Sequence, residues 1–229
     1  MQTTLAQFNE TESQDAFSLQ NSKMLKVRLD AVTVQARVGS MVAYQGDVTF
    51  EHAGSGGVTK FLKKKLTGEG VQLMKVTGSG EVFLADQAQD IHLIRLEHES
   101  ITINGKSVLA FDAGIDWDIK LFSGAASVAS GGGFSNVELK GTGWVAILSD
   151  GPPVLLDVSA KPTFADAQAA ITWSDGVSAS FKTDYKMKDL IGRSSGETIQ
   201  LAFQGQGWVL VQPSEGAATT TSLASQLGQ

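Results

Sequence analysis

A glycine pair of the form Gly-x-Gly, followed at once by an apolar segment, occurs three times at almost constant spacing. The copies are Gly78-Ser79-Gly80-Glu81-Val82, Gly141-Thr142-Gly143-Trp144-Val145 and Gly205-Gln206-Gly207-Trp208-Val209. Their first glycines lie 63 and 64 residues apart. A second marker precedes each pair: an aromatic residue, then a glycine, then a β-branched residue. These are Tyr44/Gly46/Val48, Phe111/Gly114/Ile115 and Trp173/Gly176/Val177, with the marker glycine 32, 27 and 29 residues ahead of its pair. Two markers in fixed order, three times over, predict one β-unit copied three times within a single chain. Gly46, Gly78, Gly80, Gly114, Gly141, Gly143, Gly176, Gly205 and Gly207 are therefore the candidate structural residues. Glycine is required where φ is positive or where another backbone comes too close for a side chain. Crowding where three units meet around an axis is the expected cause, with each pair at the start of a strand.

The segments between the markers read as strands. Leu25, Val27 and Leu29 alternate with Lys26, Arg28 and Asp30. Ile115, Trp117 and Ile119 alternate with Asp116, Asp118 and Lys120, and Ile199, Leu201 and Phe203 with Gln200, Ala202 and Gln204. Period-two alternation describes strands with one apolar and one wet face. Asn104-Gly105 between two β-rich runs predicts a hairpin with a type I′ turn. Helical periodicity is confined to Val58–Leu66, and Pro152-Pro153 breaks the pattern. The fold class expected is all-β, with three tandem repeats of about 64 residues around a pseudo-threefold axis. Residues 1–23 form an N-terminal extension or edge strand. The repeats occupy 24–90, 91–153 and 154–216, one structural domain over 24–216, and 217–229 form a flexible tail. A lone unit of that size would bury too little surface to be stable, so the three must share a core.

Composition narrows the function classes. A net charge of −6 disfavours nucleic acid, whose phosphates demand clustered Lys and Arg. The absence of cysteine excludes disulfides, thiolate nucleophiles and zinc–thiolate sites. The first lysine is Lys23, and Glu10, Glu12 and Asp15 precede it, which fits neither a secretory signal nor a basic transit peptide. No apolar run approaches membrane-spanning length. A cytoplasmic location is expected.

Several stretches carry a family resemblance: Met41-Val-Ala-Tyr-Gln-Gly-Asp-Val-Thr-Phe-Glu51, Leu66-Thr-Gly-Glu-Gly70, Asn136-Val-Glu-Leu-Lys-Gly-Thr-Gly143 and Gln204-Gly-Gln-Gly-Trp-Val209. Over about residues 24–213 the chain resembles the bacterial branch of the altered-inheritance-of-mitochondria (mitochondrial biogenesis) family. The resemblance implies a triplicated β-fold similar to the tryptophan RNA-binding attenuation protein, of double-stranded β-helix type. It implies no catalytic residues. Fungal relatives are associated with inner-membrane organisation in mitochondria, and the missing presequence argues against that location here.

Reactive groups do not form a recognisable constellation. Gly192-Arg-Ser194-Ser-Gly196 matches the nucleophile-elbow pattern, yet a strand rather than a helix follows it. Gly105-Lys-Ser107 ends like a phosphate loop but lacks the leading glycine, with Ser at position 100. The three histidines, His52, His92 and His98, include no His-x-His pair. On one strand His92 and His98 would stand roughly 20 Å apart, too far to share a metal. Asp112, Asp116 and Asp118 read as a solvated acidic face with Lys120 beside it. Lys63-Lys64-Lys65, flanked by Phe61, Leu62 and Leu66, is the single dense basic run. Three lysines suffice only for weak contact with an anionic membrane surface.

The function expected is a non-enzymatic β-scaffold acting through self-assembly, as a homo-oligomer, or through an unidentified protein partner, without catalytic residues, cofactor or metal. A small-ligand module with a pocket between repeats, walled by Trp117, Trp144, Trp208 or Phe203, is the alternative. A metal-dependent β-helix enzyme is the third reading.

Overall fold

A computed structural model describes residues 4–30, 32–52, 71–121, 135–181 and 200–214 of the chain. Among them are fifteen strands and two short 3-10 turns. The strands are β1 (Phe17–Asn21), β2 (Met24–Arg28), β3 (Val34–Arg37), β4 (Met41–His52) and β5 (Leu73–Leu84). Then come β6 (Asp90–Asn104), β7 (Val108–Asp112), β8 (Asp116–Leu121) and β9 (Ser135–Ser149). The last are β10 (Val154–Asp157), β11 (Thr163–Asp166), β12 (Ala170–Ser174), β13 (Val177–Phe181), β14 (Gln200–Gly205) and β15 (Trp208–Val211). Every pairing is antiparallel. The expectation of an all-β protein holds at that level.

One sheet runs β1-β2-β5-β3-β7-β9-β6-β12-β15-β10, with β4 also on β5 and β8 also on β9. The other is β11-β14-β13. The strands bearing the Gly-x-Gly pairs are the hubs. β5 carries β4 on one edge, and on the other β3 beside its N-terminal half and β2 beside its C-terminal half. β9 carries the long β6 on one edge and β7 and β8 on the other. β14 takes β11 and β13, and β15 takes β10 and β12.

The alternating runs lie where expected. Leu25, Val27 and Leu29 are fully buried, as are Ile115, Ile119, Leu201 and Phe203. Lys26 departs from the pattern: on the face assigned to solvent, it is nonetheless buried. Buried side chains gather in three clusters rather than one. The first joins Phe17, Leu25, Val34 and Val82 to Ile91, Leu109 and Leu148, and so crosses the boundary placed at residue 90. The second centres on Ile103, Phe111, Leu139 and Ile147, and the third on Trp173, Leu201 and Phe203. Edge-to-face contact between Trp173 and Phe203, centroids 5.5 Å apart, stiffens the third.

The hairpin predicted at Asn104-Gly105 does not form. β6 and β7 flank β9 on opposite edges instead of pairing with each other. Asn104 keeps negative φ and accepts the Lys106 N–H on its side-chain oxygen at 3.1 Å, which starts a 3-10 turn over Gly105–Ser107. Gly105 is needed for space: a Cβ there would stand 2.7 Å from Val71 Cγ2 and 2.8 Å from the Ser135 carbonyl. The type I′ expectation failed because Asn-Gly also serves side-chain capping.

Candidate functional site

The first two Gly-x-Gly pairs lie within strands rather than at their starts, and only the third directly precedes one. Gly78 and Gly80 fall mid-β5, Gly141 and Gly143 mid-β9, and Gly205 and Gly207 bracket the step from β14 to β15. All six have positive φ, between +125° and +155°. Beside them flanking strands break or bulge, although β4 runs unbroken past Gly78 and Gly80. Leu29 N–H, just past β2, donates to the Gly80 carbonyl, and Val158 N–H, just past β10, to the Gly207 carbonyl, both at 2.9 Å. In β6 the register shifts between Glu97 and Glu99, leaving His98 at φ +62° with its N–H on Thr142 Oγ1 at 3.1 Å. A bulge there lets the strand turn without losing the ladder.

The crowding expected at a common axis comes instead from the neighbouring strand. A Cβ on Gly80 would stand 2.0 Å from the Gln45 carbonyl of β4, and one on Gly78 2.1 Å from that of Asp47. Gly46 faces Ser79 O at 2.5 Å, while Gly176 and Gly205 crowd Gln206 O and Gly176 O at 2.2 and 2.0 Å. Gly143 and Gly207 make room for a side-chain cap. Asp112 Oδ2 accepts the Trp144 N–H at 2.7 Å, and Ser174 Oγ accepts the Trp208 N–H at 3.0 Å. Gly114 differs from the rest, with nothing within 4 Å of a Cβ and no positive φ.

Asp112 is therefore a cap rather than part of an acidic face with Asp116 and Asp118. Those two sit on β8, where Lys120 lies 3.5 Å from Asp118 and 3.0 Å from Glu138. Burial pushes the Asp112 carboxyl above the ordinary aspartate range, opposed by the Trp144 N–H and Arg95. Its other oxygen is buried without a hydrogen-bond partner among the described residues. Because the folded value is raised, the neutral acid is the form that stabilises the fold. Its contribution is complete below the unfolded pKa and fades as pH rises through the folded one. At neutral pH, Asp112→Asn, which keeps an acceptor for Trp144 and removes the charge, should match or exceed the native melting temperature. Asp112→Ala strands that N–H and should cost about 1–2 kcal/mol. Thermal melts of both at acid and neutral pH check this, and a destabilised Asp112→Asn would contradict it.

Sequence reasoning missed a second feature, the docking of the N-terminal arm. Lys26 Nζ contacts Glu10 Oε1 at 2.5 Å and Glu81 Oε1 at 2.8 Å and donates to the Thr11 carbonyl at 3.1 Å. Gln45 Nε2 donates to Glu10 Oε2 at 3.1 Å. Arg28 donates to the carbonyls of Ser13 and Gln14 and to Gln14 Oε1. Residues 10–14 are thus strapped across β2, β4 and β5. Glu81 holds the place that Trp144 and Trp208 hold after the other two glycine pairs. At the middle pair, Arg95 stacks on Trp144, 5.4 Å from the ring centroid. The one signal in the sequence was that exchange of Trp for Glu.

The remaining candidates stay apart. His92 Nε2 meets Ser149 Oγ at 2.8 Å, and burial lowers its pKa against the pull of Asp90. His98 sits in the β6 bulge against Thr142, and His52 ends β4. Among the described residues no three His, Asp or Glu side chains converge as metal ligands. The aromatics proposed to wall a pocket are distributed, Trp144 against the first cluster, Trp117 and Trp208 against the second, Phe203 within the third. Lys63, Lys64, Lys65, the Val58–Leu66 stretch and Gly192-Arg-Ser194-Ser-Gly196 lie outside the described residues. No helix among the described residues is long and apolar enough to cross a membrane.

Glycine-hinged hub strands, each flanked on both edges, define an antiparallel all-β protein whose distinguishing features are backbone geometry and strand edges. The chain belongs to the mitochondrial biogenesis AIM24 family, whose model matches residues 17–214. Its fold is similar to the X-ray crystal structure of protein SPYM3_0169 from Streptococcus pyogenes, with a TM-score of 0.69 at 19% identity. That likeness covers 86% of this chain and 91% of the other. No curated protein matches the chain.

Proposed function

We propose that this chain is a non-enzymatic scaffold, built from one β-unit used three times in tandem, and that it acts by assembling through its strand edges. The triplication is supported by pairs of positive-φ glycines at matching positions in β5, in β9 and at the step from β14 to β15. It is supported again by a buried Leu29, Leu96 or Val158 beside the second glycine of each pair. One observation carries the assembly reading: the first residues of β4 are apolar yet exposed, with Met41 at 37%, Val42 at 53% and Tyr44 at 49%. An exposed apolar edge strand is a template for another strand, and proteins that do not use it guard it with charge or proline. Met41–Tyr44 carries neither.

Sedimentation velocity on the full chain at micromolar concentrations tests this. The expected result is a mass above that of one chain, dissociating on dilution. A single-chain mass throughout would end the assembly reading.

A further inference from the structure

The groove under the N-terminal arm sits at the first glycine pair, and the strands beside the other two pairs carry different residues there. Lys26 stands opposite Phe83, Leu93 opposite Ala146 and Leu155 opposite Leu210. Those three partners lie two residues beyond Glu81, Trp144 and Trp208. Where the second and third pairs have Leu and Trp, the first therefore has Lys and Glu. Leu155 is 61% exposed, whereas the Lys26 side chain is 6% exposed. A cation that deep needs partners. Glu81 of β5 is one, and the arm supplies two more, the Glu10 carboxylate and the Thr11 carbonyl.

The arm buries no side chain of its own over residues 4–15. Its contacts with the groove are polar. Glu10 reaches Lys26 and Gln45, Thr11 reaches Lys26 and Gln20, the Asn9 carbonyl accepts from Gln20, and Ser13 and Gln14 accept from Arg28. It meets β1 in a tight reversal. Arg28 donates from its side chain to the Gln14 carbonyl and from its main chain to the Ala16 carbonyl at 2.8 Å. Between them the Asp15 N–H donates to Ser13 Oγ at 3.1 Å. A short connection that folds a segment back onto its own sheet is the kind that opens to hand the segment to a neighbour.

We propose that the groove over β2, β4 and β5 takes residues 9–14 of a second copy of this chain, each copy lending its arm to the other. This contact goes beyond the strand-edge reading and does not depend on it. Straightening the link at Asp15 carries the arm to the neighbouring groove, where every contact above is remade. Exchange then costs the shared tether rather than any interaction. Charge selects the occupant. Lys26 and Arg28 are two residues apart on one face of β2, and the arm brings them a carboxylate and the carbonyls of Thr11, Ser13 and Gln14. Leu93 and Leu155 offer no cation where Glu10 would sit, so the arm has one address on each copy. Exchange is therefore reciprocal and closes as a two-fold pair.

Zero-length carbodiimide coupling tests this on the native chain, because it joins a lysine to a carboxylate in contact with it. Isotopically light and heavy chains are refolded together, coupled and digested. The expected product is a Glu10–Lys26 peptide pair with one light and one heavy member. Pairs of uniform isotope alone would overturn the proposal, placing each arm on its own molecule, while sedimentation judges the strand edges separately. A second measurement uses two variants. Glu10→Lys keeps the groove but repels its own arm, and Lys26→Met with Glu81→Met keeps the arm but loses the groove. Alone, each chain should be cut quickly within residues 4–15. On mixing, the arm of the methionine chain should become protected, and dilution should remove that protection. An arm that stays cleavable in the mixture, or is already protected in the methionine chain alone, would also overturn the exchange.

Discussion

Gly80→Ala is expected to destabilise the fold by about 3 kcal/mol, while Gly114→Ala leaves it within about 0.5 kcal/mol. Both glycines belong to the repeated markers, so the sequence pattern treats them alike. Their surroundings do not. Gly80 has φ +144°, and its missing Cβ would stand 2.0 Å from a main-chain carbonyl of β4. A backbone atom cannot rotate away as a side chain can, so the β4–β5 ladder itself must shift. Gly205, φ +127° and 2.0 Å from the Gly176 carbonyl, should behave like Gly80. Gly39 separates the two causes: its φ is +87° but nothing lies within 4 Å, so Gly39→Ala reports backbone strain alone, about 1 kcal/mol. Urea denaturation followed by tryptophan fluorescence gives all four values. Equal stabilities for the Gly80 and Gly114 variants would show that close backbone approach is not what the motif protects.

Lys26→Ala should cost about 3 kcal/mol and free the N-terminal arm. Lys26 is 6% exposed at its side chain and is flanked by two carboxylates, so its removal leaves Glu81 facing Glu10 without a cation. Replacing Lys26 and Glu81 together with methionine should recover much of that loss, because a buried ion pair contributes little beyond an apolar pair of similar size. Arm release is read separately, as faster protease cleavage within residues 4–15. The pH dependence follows from the two shifts. Contact with Glu81 and Lys26 holds the Glu10 carboxyl below its ordinary value. Its contribution is therefore present above the unfolded pKa and is lost as pH falls through the folded one. Burial pushes Lys26 down, but hydrogen bonds to Glu10 and Glu81 outweigh it and the net shift is upward. That contribution is present below the unfolded lysine value and is lost as pH rises through the folded one. The arm should thus be protected across the neutral range and exposed at both extremes. Protection that persists in strong acid would rule out the Glu10 contact as its source.

Strands and hubs were legible because their signals are local. Alternation at Leu25/Val27/Leu29 needs only the period of a pleated strand, and a glycine recurring near every 64th residue needs only counting. Asn104-Gly105 misled because the same dipeptide satisfies two turn chemistries, and the choice depended on β9 passing between β6 and β7. Asp112 looked like a member of an acidic row until its carboxylate proved to cap Trp144. Lys26 looked wet because alternation describes only the two faces of a sheet. It does not reveal that a segment sixteen residues upstream lies across one of them.

By itself the sequence determined that this protein is all-β, that its structure turns on three glycine pairs, and that cysteine chemistry is excluded. Tertiary structure alone decided which glycines are irreplaceable, where the arm docks and which strands become neighbours. Those are properties of residues far apart in the chain. A Cβ at Gly80 is forbidden by Gln45, and Lys26 is buried beside Glu10, sixteen residues upstream. Local pattern sets how each segment is built, but burial and crowding are set by whichever segment arrives next to it.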